Sequence, residues 1–141
     1  MKFKVKLKVQ RIRGARGFTM IEMLIVMTLI VILATVGMSQ YKNSVKRSEE
    51  AVLKENLFRM RDAIDQYYAD KTKYPAGLDD LVTEGYIREV PKDPITNSKD
   101  TWQTTAAEPD ANNPASSVGI YDVKSGSDAT ALDGTRYSEW E

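Results

Sequence analysis

The 141-residue chain contains no cysteine and no histidine. The first absence excludes a disulfide framework, a thiolate metal site and a lipoprotein attachment point. The second removes the usual zinc ligand and the commonest general base, which counts against catalytic triads and most transition-metal sites. Ser125, Asp128 and Asp133 share one loop, but no base is placed beside a nucleophile. We therefore do not expect an enzyme.

Charge is distributed unevenly along the chain. Seven of the 20 Lys and Arg residues lie in residues 1–17, which contain no acid, so 13 basic and 20 acidic groups remain for the rest. A basic segment next to an apolar helix stays on the cytoplasmic side of the membrane, and the segment after the helix is exported. We predict a cytoplasmic N-terminus and an exported C-terminal part, with no nucleic-acid partner.

An apolar run of 21 residues extends from Phe18 to Met38, and Glu22 is its only charged residue. As a helix it would be about 31 Å long, which matches the hydrocarbon core of a bilayer. A cleavable signal peptide is the less favoured alternative. Its apolar region is usually about 7 to 15 residues long and precedes a small-x-small site, which ATVGMS does not provide. The run therefore predicts a membrane-spanning helix.

Beyond Ser39 a helical period continues with mixed polarity. The apolar positions predicted to share one face are Val45, Val52, Leu53, Leu57, Met60, Ile64 and Tyr67. Glu50 with Lys54, and Glu55 with Arg59, are spaced for i,i+4 ion pairs. The helix should continue to about Asp70, because Pro75 disfavours helix at Tyr74. The aromatic residues predicted to lie in the core beneath a sheet are Phe58, Tyr67 and Tyr68.

The last 70 residues predict short elements. Leu78, Leu81 and Val82 indicate a two-turn helix closed by Gly85, and Pro91 and Pro94 indicate an extended loop. Alternating or β-branched residues at 102–105 and 117–124 predict two or three antiparallel strands. Their apolar face should pack on the second half of the long helix; it comprises Trp102, Val118, Ile120 and Tyr121. The predicted fold is α+β, a long N-terminal helix against a small antiparallel sheet.

The segment RGFTMIEML resembles the start of type IV pilin precursors, in which a basic leader ends in glycine and is followed by phenylalanine and, at the fifth mature residue, glutamate. Four further segments are similar to the major pseudopilins of type II secretion systems: AIDQYYADKTKYP, LVTEGYI, VPKDP and GIYDVKSGSDATALDGTRYSEW. The resemblance covers nearly the whole chain from Arg16 onward. It implies a type IV pilin-like fold and a structural role in a secretion pseudopilus.

The resemblance also implies a processing and assembly sequence. Residues 1–17 would be a leader that a prepilin peptidase removes between Gly17 and Phe18, after which Phe18 is N-methylated. Residues 18–40 would form the membrane and filament-core helix, and residues 41–141 the periplasmic head. Before assembly the chain would lie in inner-membrane lipid; its expected partners are other copies of itself, minor pseudopilins and the inner-membrane secretion platform.

Glu22 is an unusual residue for a membrane helix. A charged side chain at the centre of such a helix costs about 2.5 to 3.5 kcal/mol, so it usually has a partner. Cleavage would create an amine on Phe18 with a reference pKa near 7.7 to 8.0, and this is a natural cation for Glu22 of the same or a neighbouring chain. Alternatively, Glu22 snorkels to the interface, since it lies only about 6 Å along the helix from that amine. We predict that Glu22 sets the register between subunits.

The acidic loop near the C-terminus contains Asp122, Asp128 and Asp133 among serines and glycines. By composition alone such residues are solvated turn formers. The resemblance implies a calcium site, with Asp128 as a ligand, Ser125 as a carbonyl donor and Asp133 as the second carboxylate. Asp133 is a substitute, because the acid of the family falls near Arg136. Oxygen ligands of this kind suit Ca²⁺.

Two departures from the family concern the membrane helix. Ser39 stands where most members have proline, and Val31 where they have glycine. Gly37 breaks a helix less strongly than proline, at about 1 against 3 kcal/mol relative to alanine. Melting between residues 34 and 41, which occurs in assembled filaments of the family, is therefore left open for this chain.

Two other functions remain as alternatives to the secretion pseudopilus. A type IV pilus major pilin, used for adhesion or motility, would share the N-terminal motif, but such pilins commonly carry a C-terminal cysteine pair. A single-pass anchored periplasmic binding module would need only the anchor, the amphipathic helix and the sheet. That alternative leaves Gly17, Phe18 and Glu22 unexplained.

Overall fold

A computed structural model describes residues 17–108, 111–114 and 119–141. The predictions for leader residues 1–16, and for residues 117 and 118 of the second strand, lie outside this part. The elements in order are helix α1 (Met20–Lys71), helix α2 (Leu78–Thr83), strand β1 (Gln103–Ala106), strand β2 (Ile120–Lys124) and a 3-10 helix (Tyr137–Glu139). The chain divides into two compact units, residues 1–39 and 40–141.

The described part of the first unit is the start of α1. Its large apolar side chains are exposed, and none of its most apolar 18-residue window is buried. By length and composition α1 can cross a membrane, and its mean hydropathy over that window is 2.5. Residues 34–41 are helical in this isolated chain, through Gly37 and Ser39.

The second unit has one hydrophobic core, built on a single face of α1. Three side chains of that face, Leu53, Met60 and Ile64, are fully buried. Their spacing of seven and four residues places them on one stripe of the helix. Within the described residues, the buried core consists of Leu53, Leu57, Met60, Ala63, Ile64, Tyr67, Leu81, Trp102, Ile120, Val123, Ala131 and Tyr137.

The two strands form an antiparallel pair that contributes to this core. Gln103 pairs with Lys124 and Ala106 with Ile120, with an irregularity after Thr105. Trp102, Ile120 and Val123 bring the inward side of the pair into the same core cluster as the face of α1. The α+β prediction of a long helix packed against a small antiparallel sheet is confirmed.

Several predicted core residues are exposed instead. Val45 and Val52 on α1 are 38% and 47% exposed, and Phe58 is 67% exposed. Tyr68 is also exposed and stacks on Tyr74 with ring centroids 4.5 Å apart. Tyr121 of β2 is exposed as well. The core predictions for Val52, Phe58 and Tyr68 are wrong, because a small head covers only a narrow stripe of the helix, from Leu53 to Tyr67. The prediction for Tyr121 is wrong because its strand neighbour Ile120 points into the core, and successive strand residues point to opposite faces. Val45 was predicted only to share the apolar face and lies beyond the covered stripe.

The loops follow local signals in part. Gly85 has a φ of +81°, the left-handed conformation that favours glycine, and its N–H donates to the carbonyl of Val82 as α2 ends. The segment around Pro94, predicted to be extended, is a closed turn. The N–H of Asp93 donates to the carbonyl of Ser98, and the N–H of Asn97 donates to the carbonyl of Asp93.

Leu57 and Phe58 are neighbours in sequence with opposite environments, 2% and 67% exposed. We expect Leu57→Ala to lower the free energy of unfolding by about 2 to 5 kcal/mol, because it leaves a cavity in the core. Phe58→Ala should change it by less than about 0.5 kcal/mol. Denaturant unfolding of the full chain in detergent micelles, followed by near-UV circular dichroism, measures both. A larger loss for Phe58→Ala than for Leu57→Ala would contradict the burial of this face.

Candidate functional site

The predicted cleavage point lies just before α1. Gly17 and Phe18 are in a non-helical segment, and Phe18 is 83% exposed. A Cβ atom added to Gly17 would meet no atom within 4 Å. Among the residues that the structure describes, which begin at Gly17, no group therefore blocks access to the Gly17–Phe18 bond from the side of the glycine. Assignment of the bond as a cleavage site stays a prediction.

Glu22 closes a capping box with Thr19 at the start of α1. The Thr19 N–H and hydroxyl both donate to Glu22 Oε2, at 2.7 and 3.0 Å, and the Glu22 N–H donates to Thr19 Oγ1 at 3.3 Å. Such a box satisfies backbone donors that the first helical turn leaves free. The prediction for Glu22 considered only a cation or the interface, although the T-x-x-E spacing is visible in the sequence.

The residues predicted for calcium have separate hydrogen-bond partners. The buried Ser125 hydroxyl donates to Asp93 Oδ2 at 2.6 Å, and the Ser138 hydroxyl donates to Asp128 Oδ1 at 3.1 Å. Asp133 Oδ1 accepts from the N–H and hydroxyl of Thr135, at 2.9 and 2.6 Å. Calcium binding by these residues stays a prediction.

The remaining acid of this segment, Asp122, faces a different partner. Its Oδ1 accepts from Arg61 Nε at 2.7 Å, in a partly buried ion pair. Arg61 Nη2 also donates to the carbonyls of Val123 and Trp140, at 3.0 and 2.9 Å. One guanidinium thus ties α1 to the second strand and to the C-terminus, a role that sequence reasoning missed.

The donor set of the acidic loop can be compared with what calcium takes. In residues 17–108, 111–114 and 119–141 no three His, Cys, Asp or Glu side chains are grouped so as to hold a metal. A calcium ion here would need backbone carbonyls and water beside one or two carboxylates. Hydrogen bonds from the Thr135 hydroxyl and N–H lower the pKa of Asp133, so this carboxylate is charged at neutral pH. The negative charge of Asp133 would attract a cation, whereas the loop offers few carboxylates for the six to eight oxygen ligands that calcium takes.

Glu50 binds the acidic loop and not Lys54, so the predicted Glu50–Lys54 pair is wrong. Glu50 Oε1 accepts from the Leu132 N–H at 2.7 Å and from the Tyr137 hydroxyl at 2.9 Å. Lys54 Nζ lies over the Trp140 ring, 4.8 Å from its centroid. The predicted Glu55–Arg59 pair is confirmed, with 2.7 Å between Glu55 Oε1 and Arg59 Nε.

Burial, with the Glu50 carboxylate as a further cause, raises the pKa of Tyr137 well above its ordinary value. Its hydroxyl therefore keeps its proton and remains a donor to Glu50 at all physiological pH values. No sequence signal pointed to this contact, because 87 residues separate the two side chains.

An exposed Gly–Phe junction, a capped apolar helix and an α+β head are the parts of a type IV pilin-like architecture. In agreement, residues 12–38 match the family described as "Prokaryotic N-terminal methylation motif". This match covers the predicted cleavage point and the apolar part of α1. No solved structure matches the chain at a significant level.

The chain is also similar to several curated proteins over more than half of its length. It is 27% identical over 100 residues to the type II secretion system core protein G of Klebsiella michiganensis, covering 60% of this chain and 70% of the relative. The protein of the same name from Vibrio cholerae is 27% identical over 103 residues, with coverages of 62% and 70%. Fimbrial protein EcpC of Eikenella corrodens is 32% identical over 80 residues, about half of each chain. The resemblance to pilin-like proteins, and among them to the major pseudopilins of type II secretion, is confirmed.

Proposed function

We propose that this chain is a structural subunit of a type II secretion pseudopilus, which polymerises after loss of its leader and supports the export of folded proteins across the outer membrane. The observation that carries the proposal is the start of α1, where an accessible Gly17–Phe18 bond precedes an uncovered apolar helix with a capped Glu22. The relatives named core protein G support the same role. The role is structural, and the work of assembly comes from an ATPase elsewhere in the secretion machine.

The proposed life history has two stages. As a precursor, the chain sits in the inner membrane with its basic N-terminus in the cytoplasm and its head in the periplasm. A prepilin peptidase cuts after Gly17, and Phe18 is then N-methylated. The mature chain leaves the lipid and joins other copies, minor pseudopilins and the secretion platform. The methylation motif and the length of the apolar helix support this sequence of events.

Exposed apolar side chains in the second unit also support self-assembly. Tyr41, Val45 and Val52 are 70%, 38% and 47% exposed. Their spacing of four and seven residues places them on one side of α1. An apolar stripe of this kind that the head leaves uncovered is suited to contact with another protein chain.

A type IV pilus major pilin is the second candidate. The similarity to fimbrial protein EcpC favours it, but that match covers only 53% of this chain. Several relatives share the secretion name, and the chain contains no cysteine for the disulfide common in pilins. Neighbouring genes separate the two: a secretin and minor pseudopilins favour secretion, whereas a retraction ATPase favours a motile pilus. An anchored binding module would leave the N-terminal motif unexplained.

Substitution of Gly17 tests processing. Gly17→Val adds a branched side chain at the scissile bond, and we expect the precursor to remain uncut in cells that contain the peptidase. An immunoblot that separates precursor from mature chain measures this. Phe18→Leu, which keeps an apolar residue after the bond, serves as a matched control that should still be cut. Normal shortening of Gly17→Val would contradict the proposed cleavage site.

Glu22→Gln separates the charge of Glu22 from its capping role. Glutamine can close the same box with Thr19, so the helix start should be retained, but it cannot pair with an amine. We expect normal membrane insertion and cleavage and a loss of most filaments, measured by immunoblot and by filament yield after shearing. Thr19→Ser, which preserves both cap and charge, is the control and should assemble. Wild-type filament yield from Glu22→Gln would show that the charge does not direct assembly.

We also propose that calcium binds the loop containing Ser125, Asp128 and Asp133, with backbone carbonyls completing the site. An ion that binds only the folded head raises its melting temperature, by about 5 °C or more at saturating calcium. Thermal unfolding in millimolar calcium and in chelator measures the difference. Asp128→Asn should abolish the shift, whereas the exposed Asp100→Asn should retain it. An equal melting temperature in calcium and chelator would remove calcium from the proposal.

A further inference from the structure

The part of the acidic loop that follows β2, residues 125–137, is held by side chains from outside it, and the name is used for this part below. Asp128 and Asp133 make bonds within or next to the loop, whereas Ser125 at its start and Leu132 near its end bond to distant parts of the chain. At the beginning of the loop, Asp93, in the turn after α2, accepts a hydrogen bond from Ser125. Near its end, Glu50 on α1 accepts a hydrogen bond from Leu132.

At the beginning of the loop, Asp93 is fully buried. Its Oδ1 accepts from the Ile95 N–H at 2.8 Å, which stabilises the turn of which Asp93 is part. Its Oδ2 accepts from the Ser125 hydroxyl at 2.6 Å, and Ser125 Oγ in turn accepts from the Ser127 N–H at 3.2 Å. A buried carboxylate is costly without such donors, so these bonds fix Ser125 to the turn.

A second contact at the same end is steric and independent of these bonds. A Cβ atom added to Gly126 would lie 1.9 Å from the carbonyl oxygen of Thr101. Only glycine therefore allows the backbone of the acidic loop to approach the segment before β1 this closely. Ser125 and Gly126 together dock the start of the loop on residues 93–101.

At the end of the loop, Glu50 receives two donors through one oxygen. The Leu132 N–H and the Tyr137 hydroxyl both bond to Oε1, and the Tyr137 side chain is 1% exposed. One helical turn earlier, Lys46 Nζ donates to the carbonyl of Thr130 at 2.7 Å. Lys46 and Glu50, one turn apart on α1, thus bind the carbonyl of Thr130 and the N–H of Leu132 in the same loop.

The carboxylates of Asp93 and Glu50 both accept hydrogen bonds from neutral groups. Within the described parts of the chain, no ion pair includes Asp93 or Glu50. Both accept instead from neutral donors, several of which belong to the loop. Removing either carboxylate would leave buried or half-buried donors without an acceptor, and such a loss affects the element that carries the donors.

We infer that Asp93 and Glu50 are positioning residues that build the acidic loop from outside, so that the loop is ordered in the chain without any bound ion. This inference is independent of polymerisation and of the proposed secretion role. It gives Glu50, which forms no ion pair with a described residue, a structural role as the acceptor for Leu132 and Tyr137. Any cation would then bind a loop that is already formed.

Amide hydrogen exchange of the full chain in detergent micelles with chelator tests the inference. The informative amides are those of Ala131 and Tyr137, which bond within the loop, to the carbonyls of Thr135 and Ala129, and do not contact Glu50. We expect both to be protected in the wild type. Glu50→Ala should raise their exchange rates about tenfold or more, while amides in the core of α1 keep theirs. Glu50→Gln, which retains an acceptor oxygen, should restore most of the protection.

Two further variants complete the design. Glu49→Ala changes the neighbouring, half-buried acid, which makes no hydrogen bond to the loop, and should leave the exchange rates as in the wild type. Ser125→Ala removes the bond to Asp93 without emptying a buried site and should raise exchange at Ser127 and Ala129. The inference is overturned if the wild-type loop is protected only in calcium, if Glu50→Ala changes Leu132 alone, or if it behaves like Glu49→Ala.

Discussion

Burial of one narrow face of α1 is the interaction on which the rest of the head depends. Leu53, Met60 and Ile64 are fully buried there. At about 25 cal/mol per Å² of apolar surface, such residues supply the main stabilisation of a small domain. Consecutive helical residues point about 100° apart. The rotation that buries Leu53 therefore also places Glu50 and Arg61 at the edges of the covered face, where they bind the loop and the second strand.

Local patterns predicted the elements well, because helix period, strand alternation and a glycine at a helix end are properties of short segments. The extent of burial was not predictable in the same way. Periodicity shows which residues share a face, but not how far a partner covers it. Val45 and Val52 fit the apolar pattern and are exposed, since the buried stripe of α1 begins only at Leu53. Phe58 is exposed because it lies on another side of α1 than that stripe.

The residues of the candidate site likewise differ in whether a local sequence pattern could identify them. Gly17, Phe18 and Glu22 could be selected because their motif is contiguous, and the Thr19 cap was equally available in the T-x-x-E spacing. Glu50 could not be selected, since its partners lie 82 and 87 residues away. An acid on a helix is ordinarily assigned to a basic residue one turn further on, and Lys54 occupies that place. Only the tertiary fold shows that the N–H of Leu132 competes successfully for its carboxylate.

The capping box bears on the proposed role of Glu22 in assembly, because it gives the carboxylate partners in the isolated chain. Without it, the acid would be an unpaired charge in an apolar segment, and any amine would relieve a cost of several kcal/mol. With it, Glu22 already accepts hydrogen bonds from Thr19, the residue next to the amine that cleavage would create. Pairing with the amine of a neighbour then exchanges one satisfied state for another, so the net free energy is smaller than that of rescuing a bare charge. If Glu22 sets the register between subunits as proposed, a small difference of this kind would make wrong pairings reversible, because the carboxylate could bond again to Thr19 of its own helix start.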